Sequence, residues 1–484
     1  MTTESTVKTN KELSLLEALI PLIFLIALLT INVLVYGDDA LSGSNQFVLL
    51  IGAAVAAIVG FRNKVSYDDM IAEVAENFKS TTGAVLILLM VGALAGTWLL
   101  SGIIPAMIYY GLKILHPTIF LPATVIICSV ISVATGSSWT TSATVGIALV
   151  GIGKALGIPM GMTAGAVISG AYFGDKMSPL SDTTNLASAM AKADLFAHIK
   201  YMALTTVPSI VITLILFTVL GLMRDTSGGA ETSTMLTAIL DTFNITPLLF
   251  LVPIAVIAMI IRKTKPLIAL FVGTMLGGVL AVIFQSEIVT QVAGVDAFSW
   301  SAAYKGVMNA MTVDIAIETN DASLNDLFSA GGMKGMLGTI WLIMCAMVFG
   351  GVMDAIGALS KISGALLSMA KSVFGLFAAT VASALSLNLT ASDQYLAIVV
   401  TGKMFDKAYE QRGLAPENLS RTIEDAGTVT SVLIPWNTCG AYQSGVLGVS
   451  VGEYFIYAFF NYISPFMTLI FAALGIKIKQ LVRP

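Results

Sequence analysis

Gly174-Asp175-Lys176-Met177-Ser178-Pro179-Leu180-Ser181-Asp182-Thr183-Thr184-Asn185 gathers two carboxylates, a lysine, four hydroxyls and a helix-breaking proline between long apolar runs. If the flanks lie in a membrane, no bulk water is present to satisfy freed backbone groups or solvate the charges. Irregular backbone at that depth is tolerated only where protein buries it or it lines a cavity. Ionisable side chains there mark a functional site by default. The competing reading is a polar loop at the membrane surface. The chemistry such a stretch suits is ion binding, because a small alkali cation is hard and takes oxygen ligands. Carboxylates, hydroxyls and unwound carbonyls supply those oxygens, and half-helix ends add a favourable dipole. A partly desolvated carboxylate also holds a proton more readily. One oxygen can then hold a proton or a cation but not both, which is a sufficient mechanism for proton-coupled exchange.

Three further polar breaks share this character. Thr135-Gly136-Ser137-Ser138-Trp139-Thr140-Thr141-Ser142 divides two apolar arms, and its hydroxyls either offer ligands or bond back to the preceding turn. Leu387-Asn388-Leu389-Thr390-Ala391-Ser392-Asp393-Gln394 holds one carboxylate among apolar neighbours. The last break runs from Glu424-Asp425-Ala426-Gly427-Thr428 to Pro435-Trp436-Asn437-Thr438. Asp182, after the proline and before two threonines, is the expected shared ligand, with Asp175 next and Asp393 its counterpart in the second half. Ser181, Thr183, Asn185, Ser137, Ser138, Thr390, Ser392, Asn437 and Thr438 are the candidate oxygen ligands around them. Asp182 and Asp393 are the expected contacts to the cation. Lys176, Glu424 and Asp425 are candidate charge partners. Lys176 is placed to neutralise Asp175, and Glu424 and Asp425 fit a solvated helix start at the cytoplasmic edge. Asp354 and Lys403 fit charges that snorkel to the interface.

The elements that must position these residues are membrane helices. Of 484 residues, 56% are hydrophobic and 11% charged, with mean hydropathy +0.89. A soluble domain carries about 25% charged residues, so the deficit places the chain in a bilayer. Cys128, Cys345 and Cys439 read as core thiols, and His116 and His198 as interfacial residues. Apolar runs long enough to cross recur at 15–36, 46–61, 82–101, 118–134, 142–158, 200–222, 245–261, 266–285, 335–355, 373–388 and 454–475. Shorter or interrupted ones fall at 101–116, 162–174, 186–197, 357–371, 394–405 and 425–447, giving an expectation of 11 to 13 crossings in an all-α polytopic membrane protein. The first run is too long for a signal peptide and lacks its cleavage site.

Pro179 and Pro435 lie 256 positions apart, and the same offset lays Gly157 on Gly413 and Ser137-Ser138 on Asp393-Gln394. The positive-inside rule puts Lys8, Lys11, Arg62, Lys64, the Arg262–Lys265 turn and Lys477, Lys479 and Arg483 in the cytoplasm, with Asp38 and Asp39 outside. The stretch 286–334 carries Glu287, Asp296, Asp314, Glu318, Asp321 and Asp326 against Lys305 and Lys334, which suits the external face. Two inverted-topology repeats with re-entrant hairpins and discontinuous helices follow. Residues 15–222 form the first repeat and 245–475 the second, with an external loop over 286–334. Residues 223–244 are a polar linker, and 1–14 and 476–484 are cytoplasmic tails.

No phosphate-binding loop supports ATP-driven pumping, and no selectivity-filter sequence suggests a channel. Tyr172 stands where an intramembrane aspartyl protease would need its first glycine, so an enzyme is not expected. The Gly174–Asn185 stretch resembles the signature of the NhaC family of bacterial sodium/proton antiporters. Ala134-Thr135-Gly136-Ser137-Ser138-Trp139 and Ile434-Pro435-Trp436-Asn437-Thr438 are similar to that family too. The resemblance covers nearly the whole chain, apart from the N-terminal tail and part of the 286–334 loop. It implies exchange of Na+ for H+ across the bacterial inner membrane by alternating access, without a cofactor. It further implies a homodimeric scaffold against which a transport domain built from the four breaks moves. Family members also exchange small carboxylates, malate for lactate, with sodium and proton coupling, so an exchanger of small organic solutes is the alternative. A basic residue within the site would favour an organic anion. Lys176 is the only one inside a break, and its neutralisation by Asp175 favours simple cation exchange.

Overall fold

The computed structural model describes residues 13–36, 40, 43–223, 229–319, 325 and 328–481. Lys8, Lys11, Asp38, Asp39, Asp321, Asp326 and Arg483, used above for orientation, lie outside the described residues. A chain this apolar must satisfy its backbone internally, which favours helices. The only sheet among the described residues is a two-residue antiparallel ladder, Ile315–Ala316 against Ser329–Ala330. Eight described helices are long and apolar enough to cross a membrane, or nine counting the pair Ser233–Thr242 and Pro247–Ile261, bent by 86°. The remaining expected segments are helices too short or too broken for that test, such as Ile103–Ile114 and Phe459–Ala473.

The runs read from hydropathy coincide with helices Leu15–Tyr36, Pro117–Thr135, Pro266–Phe284 and Val373–Thr390. Helix Leu195–Leu222 starts five residues before its expected span, and another starts far earlier still. Tyr67–Leu100 starts well before residue 82, at a capping box in which the Ser66 side chain accepts from Asp69 N–H and the Asp69 side chain accepts from Ser66 N–H. Close packing along it depends on glycine, since a Cβ on Gly96 would lie 1.8 Å from the Ala310 carbonyl oxygen. The expected linker holds helix Gly229–Thr242, with Ala238 and Ile239 buried. The 286–334 stretch holds Ser286–Ala293 and Trp300–Thr312 as well as the ladder strands.

Several helices of the two halves start at the offset seen in the sequence. Pro117–Thr135 and Val373–Thr390 start 256 residues apart (373 − 117), as do Met160–Met177 and Pro416–Ile423 (416 − 160). Leu195–Leu222 and Val451–Phe455 do the same (451 − 195). Gly157 and Gly413 take matching left-handed conformations just beyond their helices, at φ 68° and 69°.

Candidate functional site

Each break is a helix restarted by a polar cap. Helix Pro117–Thr135 stops at Gly136, which turns left-handed, and Ser137 caps the next helical turn by accepting from Thr140 N–H at 3.1 Å. In the second half, helix Val373–Thr390 stops before Ser392, also left-handed at φ 58°, and Asp393 is the cap. Glycine adopts that conformation freely. Ser392 holds it at a cost of about 1 kcal/mol, an outlier placed beside the Asp393 carboxylate. Ser181 and Asn437 cap the helices after the two proline breaks, Asp182–Met190 and Thr438–Leu447. The caps Ser137 and Asp393, and likewise Ser181 and Asn437, are again 256 positions apart.

These breaks converge on one cavity of about 620 Å³. The first break contributes Thr135, Gly136, Ser137 and Trp139, and the second Asp175, Leu180, Asp182 and Thr183. The second half contributes Asp393, Gln394, Tyr395 and Thr438. The same cavity is also lined by Ser80, Thr81, Gly83, Ala84 and Ile87 and by Ile260, Lys263, Thr264, Lys265 and Pro266. Asp175, Asp182 and Asp393, far apart in sequence, therefore line the same space.

Their environments differ. Asp175 is 7% exposed, and its Oδ2 accepts from Ser138 N–H at 3.1 Å and Ser138 Oγ–H at 2.7 Å. Asp393 is 2% exposed; its Oδ1 accepts from Tyr395 and Leu396 N–H at 2.8 and 3.1 Å, and its Oδ2 from Thr438 Oγ–H at 3.2 Å. Asp182, in the first turn of its helix, is exposed to the cavity. Ser137, Thr183 and Thr438 also line it. The other candidate ligands, Ser392 apart, are engaged by neighbouring groups. Asn185 donates to the Pro179 and Ser181 carbonyls at 3.0 and 2.7 Å, and Thr390 bonds back to Ser386 O at 2.7 Å. Asn437 donates to Asn388 O at 3.1 Å and accepts from Cys439 N–H at 3.0 Å. Ser181 accepts from Thr184 N–H at 3.3 Å, and Ser392 is buried with its hydroxyl unpartnered. Among the described residues no three His, Cys, Asp or Glu side chains cluster as a metal site, so a cation here would be held by mixed oxygen ligands.

The charge partners differ from expectation. Lys176 pairs with Asp425, not Asp175, both 0% exposed, and its Nζ also donates to Ser464 Oγ at 3.0 Å. The other Asp425 oxygen accepts from Thr205 and Thr468 hydroxyls at 2.9 and 2.7 Å. Glu424 and Asp425 are not a solvated helix start. Both are fully buried in a π-helical turn, Glu424–Thr428, and Thr183 Oγ–H donates to Glu424 Oε1 at 3.0 Å. Such turns recur at functional sites. His198, expected at the interface, is fully buried with its Nδ1 2.8 Å from Ser420 Oγ. Cys128, Cys345 and Cys439 are free and buried, as read. Sequence reasoning missed Arg421, fully buried between the rings of Tyr201 and Phe377, 4.7 and 5.8 Å away, with no hydrogen-bond acceptor. Its signal was available: three charges within five residues, Arg421 to Asp425, between uncharged neighbours.

Helix breaks that bring carboxylates and hydroxyls from two halves of a polytopic chain around one cavity define a membrane transporter. The model of the Na+/H+ antiporter family matches residues 170–476, and the chain belongs to that family. It is 38% identical over 432 residues to the Na+/H+ antiporter NhaC of Alkalihalophilus pseudofirmus, covering 89% of this chain and 90% of that one. It is also 38% identical over 439 residues to the malate-2H+/Na+-lactate antiporter of Bacillus subtilis, covering 90% and 88%. The NhaC antiporter of Bacillus subtilis is 35% identical over 399 residues, covering 82% and 85%. The protein is a multi-pass membrane antiporter.

Proposed function

We propose that this chain exchanges Na+ for H+ across the bacterial inner membrane by alternating access, with the two halves in inverted orientation and both termini cytoplasmic. A homodimer belongs to the same reading. The observation that carries it is the convergence of Asp175, Asp182 and Asp393 on one cavity with Ser137, Thr183 and Thr438 hydroxyls. Asp182 is exposed to that cavity and without a competing partner, so it is the carboxylate free to take either ion; Asp175 and Asp393 are held in place by their donors and add negative charge. Sodium is bound as cargo and displaced by a proton at the same oxygens. The test is proton movement in everted vesicles. Sodium added to a preformed proton gradient dissipates it, and Asp182→Asn abolishes the response; a wild-type response from that variant removes Asp182 from the role.

A second reading has its own support. Lys263 and Lys265 line the cavity, whose volume far exceeds a bare sodium ion, and a counter-charge is what a carboxylate solute requires. Exchange of a small organic acid coupled to Na+ and H+ would use the lysines for the anion and the aspartates for the cations. Counterflow of radiolabelled malate or lactate in proteoliposomes separates the two readings.

A further inference from the structure

Two hydroxyls on the cavity wall have no proton left to offer it. Thr183 Oγ–H donates to Glu424 Oε1 at 3.0 Å, and Thr438 Oγ–H to Asp393 Oδ2 at 3.2 Å. Both threonines line the aspartate cavity, one from each half of the chain. A hydroxyl has one proton and two lone pairs, and a carboxylate only accepts. With its proton turned to the carboxylate, each threonine presents lone pairs to the cavity. Ser181 Oγ lies 3.1 Å from Thr183 Oγ and is then the donor of that contact, which fills one lone pair and leaves the other. Ser137 is the contrast. Its Oγ accepts from Thr140 N–H and Oγ–H at 3.1 and 3.0 Å, so its lone pairs are used and no carboxylate fixes its proton.

Glu424 has no evident reason to be where it is apart from Thr183. It is fully buried in the π-helical turn Glu424–Thr428 and does not line the cavity. Its neighbour Asp425 has the Lys176 ammonium and three hydroxyl donors. Glu424 has the Thr183 hydroxyl, and its Oε2 has no hydrogen-bond partner among the described residues. Buried polar groups are nearly always paired, and one so thinly supplied marks a functional constraint. What Glu424 controls is which end of the Thr183 hydroxyl meets the cavity. A hard cation takes oxygen lone pairs, whereas an anion takes the hydrogen.

We propose that Glu424 is a positioning residue for the cation: acting through Thr183, it holds that hydroxyl with a lone pair toward the cavity and so sets the site's preference for a cation over an anion. Asp393 does the same through Thr438. Glu424 itself touches no ion. This rests on the reading that the aspartate cavity binds the exchanged sodium.

The experiment is a double-mutant cycle on sodium affinity, read by equilibrium binding of radiolabelled sodium to the purified protein. Thr183→Val removes the hydroxyl and is expected to weaken binding about tenfold, the loss of one oxygen contact to a charge. Glu424→Met, which leaves the hydroxyl free to turn, is expected to cost about the same. In the Thr183→Val background the further loss on Glu424→Met is no more than about twofold, within the scatter of independent sites. In the Thr183→Ser background, which keeps a hydroxyl, Glu424→Met again costs about tenfold. A glutamate acting by its charge or its packing would cost the same with or without the hydroxyl, and that additivity overturns the proposal. Unchanged sodium affinity in Glu424→Met overturns it too. Where Glu424→Met does not fold, Glu424→Gln enters the same cycle, and additivity with Thr183→Val is again the refuting result. Each of these outcomes leaves the exchange reading standing; wild-type protein that binds no sodium overturns that reading and the proposal with it.

Discussion

Lys176 and Asp425 form a fully buried ion pair between residues 249 positions apart, so neither charge is screened by solvent. Removing one partner of such a pair typically costs about 3–5 kcal/mol, because the survivor stays buried and uncompensated. The two survivors are unequally provided for. Without Lys176, the Asp425 carboxylate keeps three hydroxyl donors, Thr205 at 2.9 Å, Ser464 at 3.1 Å and Thr468 at 2.7 Å. Hydrogen bonds to a charged group contribute about 1.5–3 kcal/mol each, so Lys176→Met should fall near the low end, about 3 kcal/mol. Without Asp425, the ammonium keeps Ser464 and a distant Phe460 ring, 5.6 Å from its centroid. Asp425→Ala should therefore approach about 5 kcal/mol. Lys176→Met combined with Asp425→Asn recovers most of the loss, since the amide oxygen still accepts hydroxyl donors and no charge is stranded. Equilibrium unfolding in mixed detergent–SDS micelles measures all three. If Lys176→Met unfolds like wild type, or costs more than Asp425→Ala, the charge and its hydroxyl cage do not stabilise the fold as argued.

Two further outcomes follow from packing. Gly174→Ala places a Cβ 2.5 Å from Ser129 O and Ser132 Cβ, contacts partly with backbone that cannot step aside, and should cost about 1–3 kcal/mol in the same unfolding assay. Arg421→Met should be neutral or stabilising by about 1–4 kcal/mol, because a buried ion's desolvation exceeds what two aromatic faces return; a loss larger than about 1 kcal/mol would show that the guanidinium has a true partner.

Much of the fold was legible because lipid imposes one rule on every crossing. An apolar run such as 15–36 has to become a helix, and Leu15–Tyr36 does so with matching ends. Breaks were legible for the complementary reason, since Gly136, Pro179 and Pro435 interrupt helices and the hydroxyls and carboxylates beside them cap the restart. Hydropathy measures burial in lipid rather than helicity, so the charged turns from Tyr67 to Thr81 fall outside the apolar run 82–101 although Ser66 and Asp69 cap them firmly. Pairing was the least legible layer. Lys176 stands beside Asp175 in sequence, yet a side chain near a helix end is aimed by its face, and that face meets Asp425. The burial of Glu424, Asp425 and His198 likewise depends on helices from the other half, which no local pattern specifies.

The contacts between halves are strong at the breaks, and that bears on what can move. Lys176 to Asp425, Thr183 to Glu424 and Trp139 to Tyr442 join first-half breaks to second-half breaks through charge, hydrogen bond and ring stacking. Separating them would strand charges in a medium that cannot solvate them, so the breaks form one body. An exchanger has to carry its ligands together while changing which opening they face. Here Asp175 and Asp393 are each held by hydrogen bonds to their own break or its neighbour. On the exchange proposed above, motion of the breaks as one body would therefore strand fewer charges than opening the site from within, and would keep Asp175, Asp182 and Asp393 together.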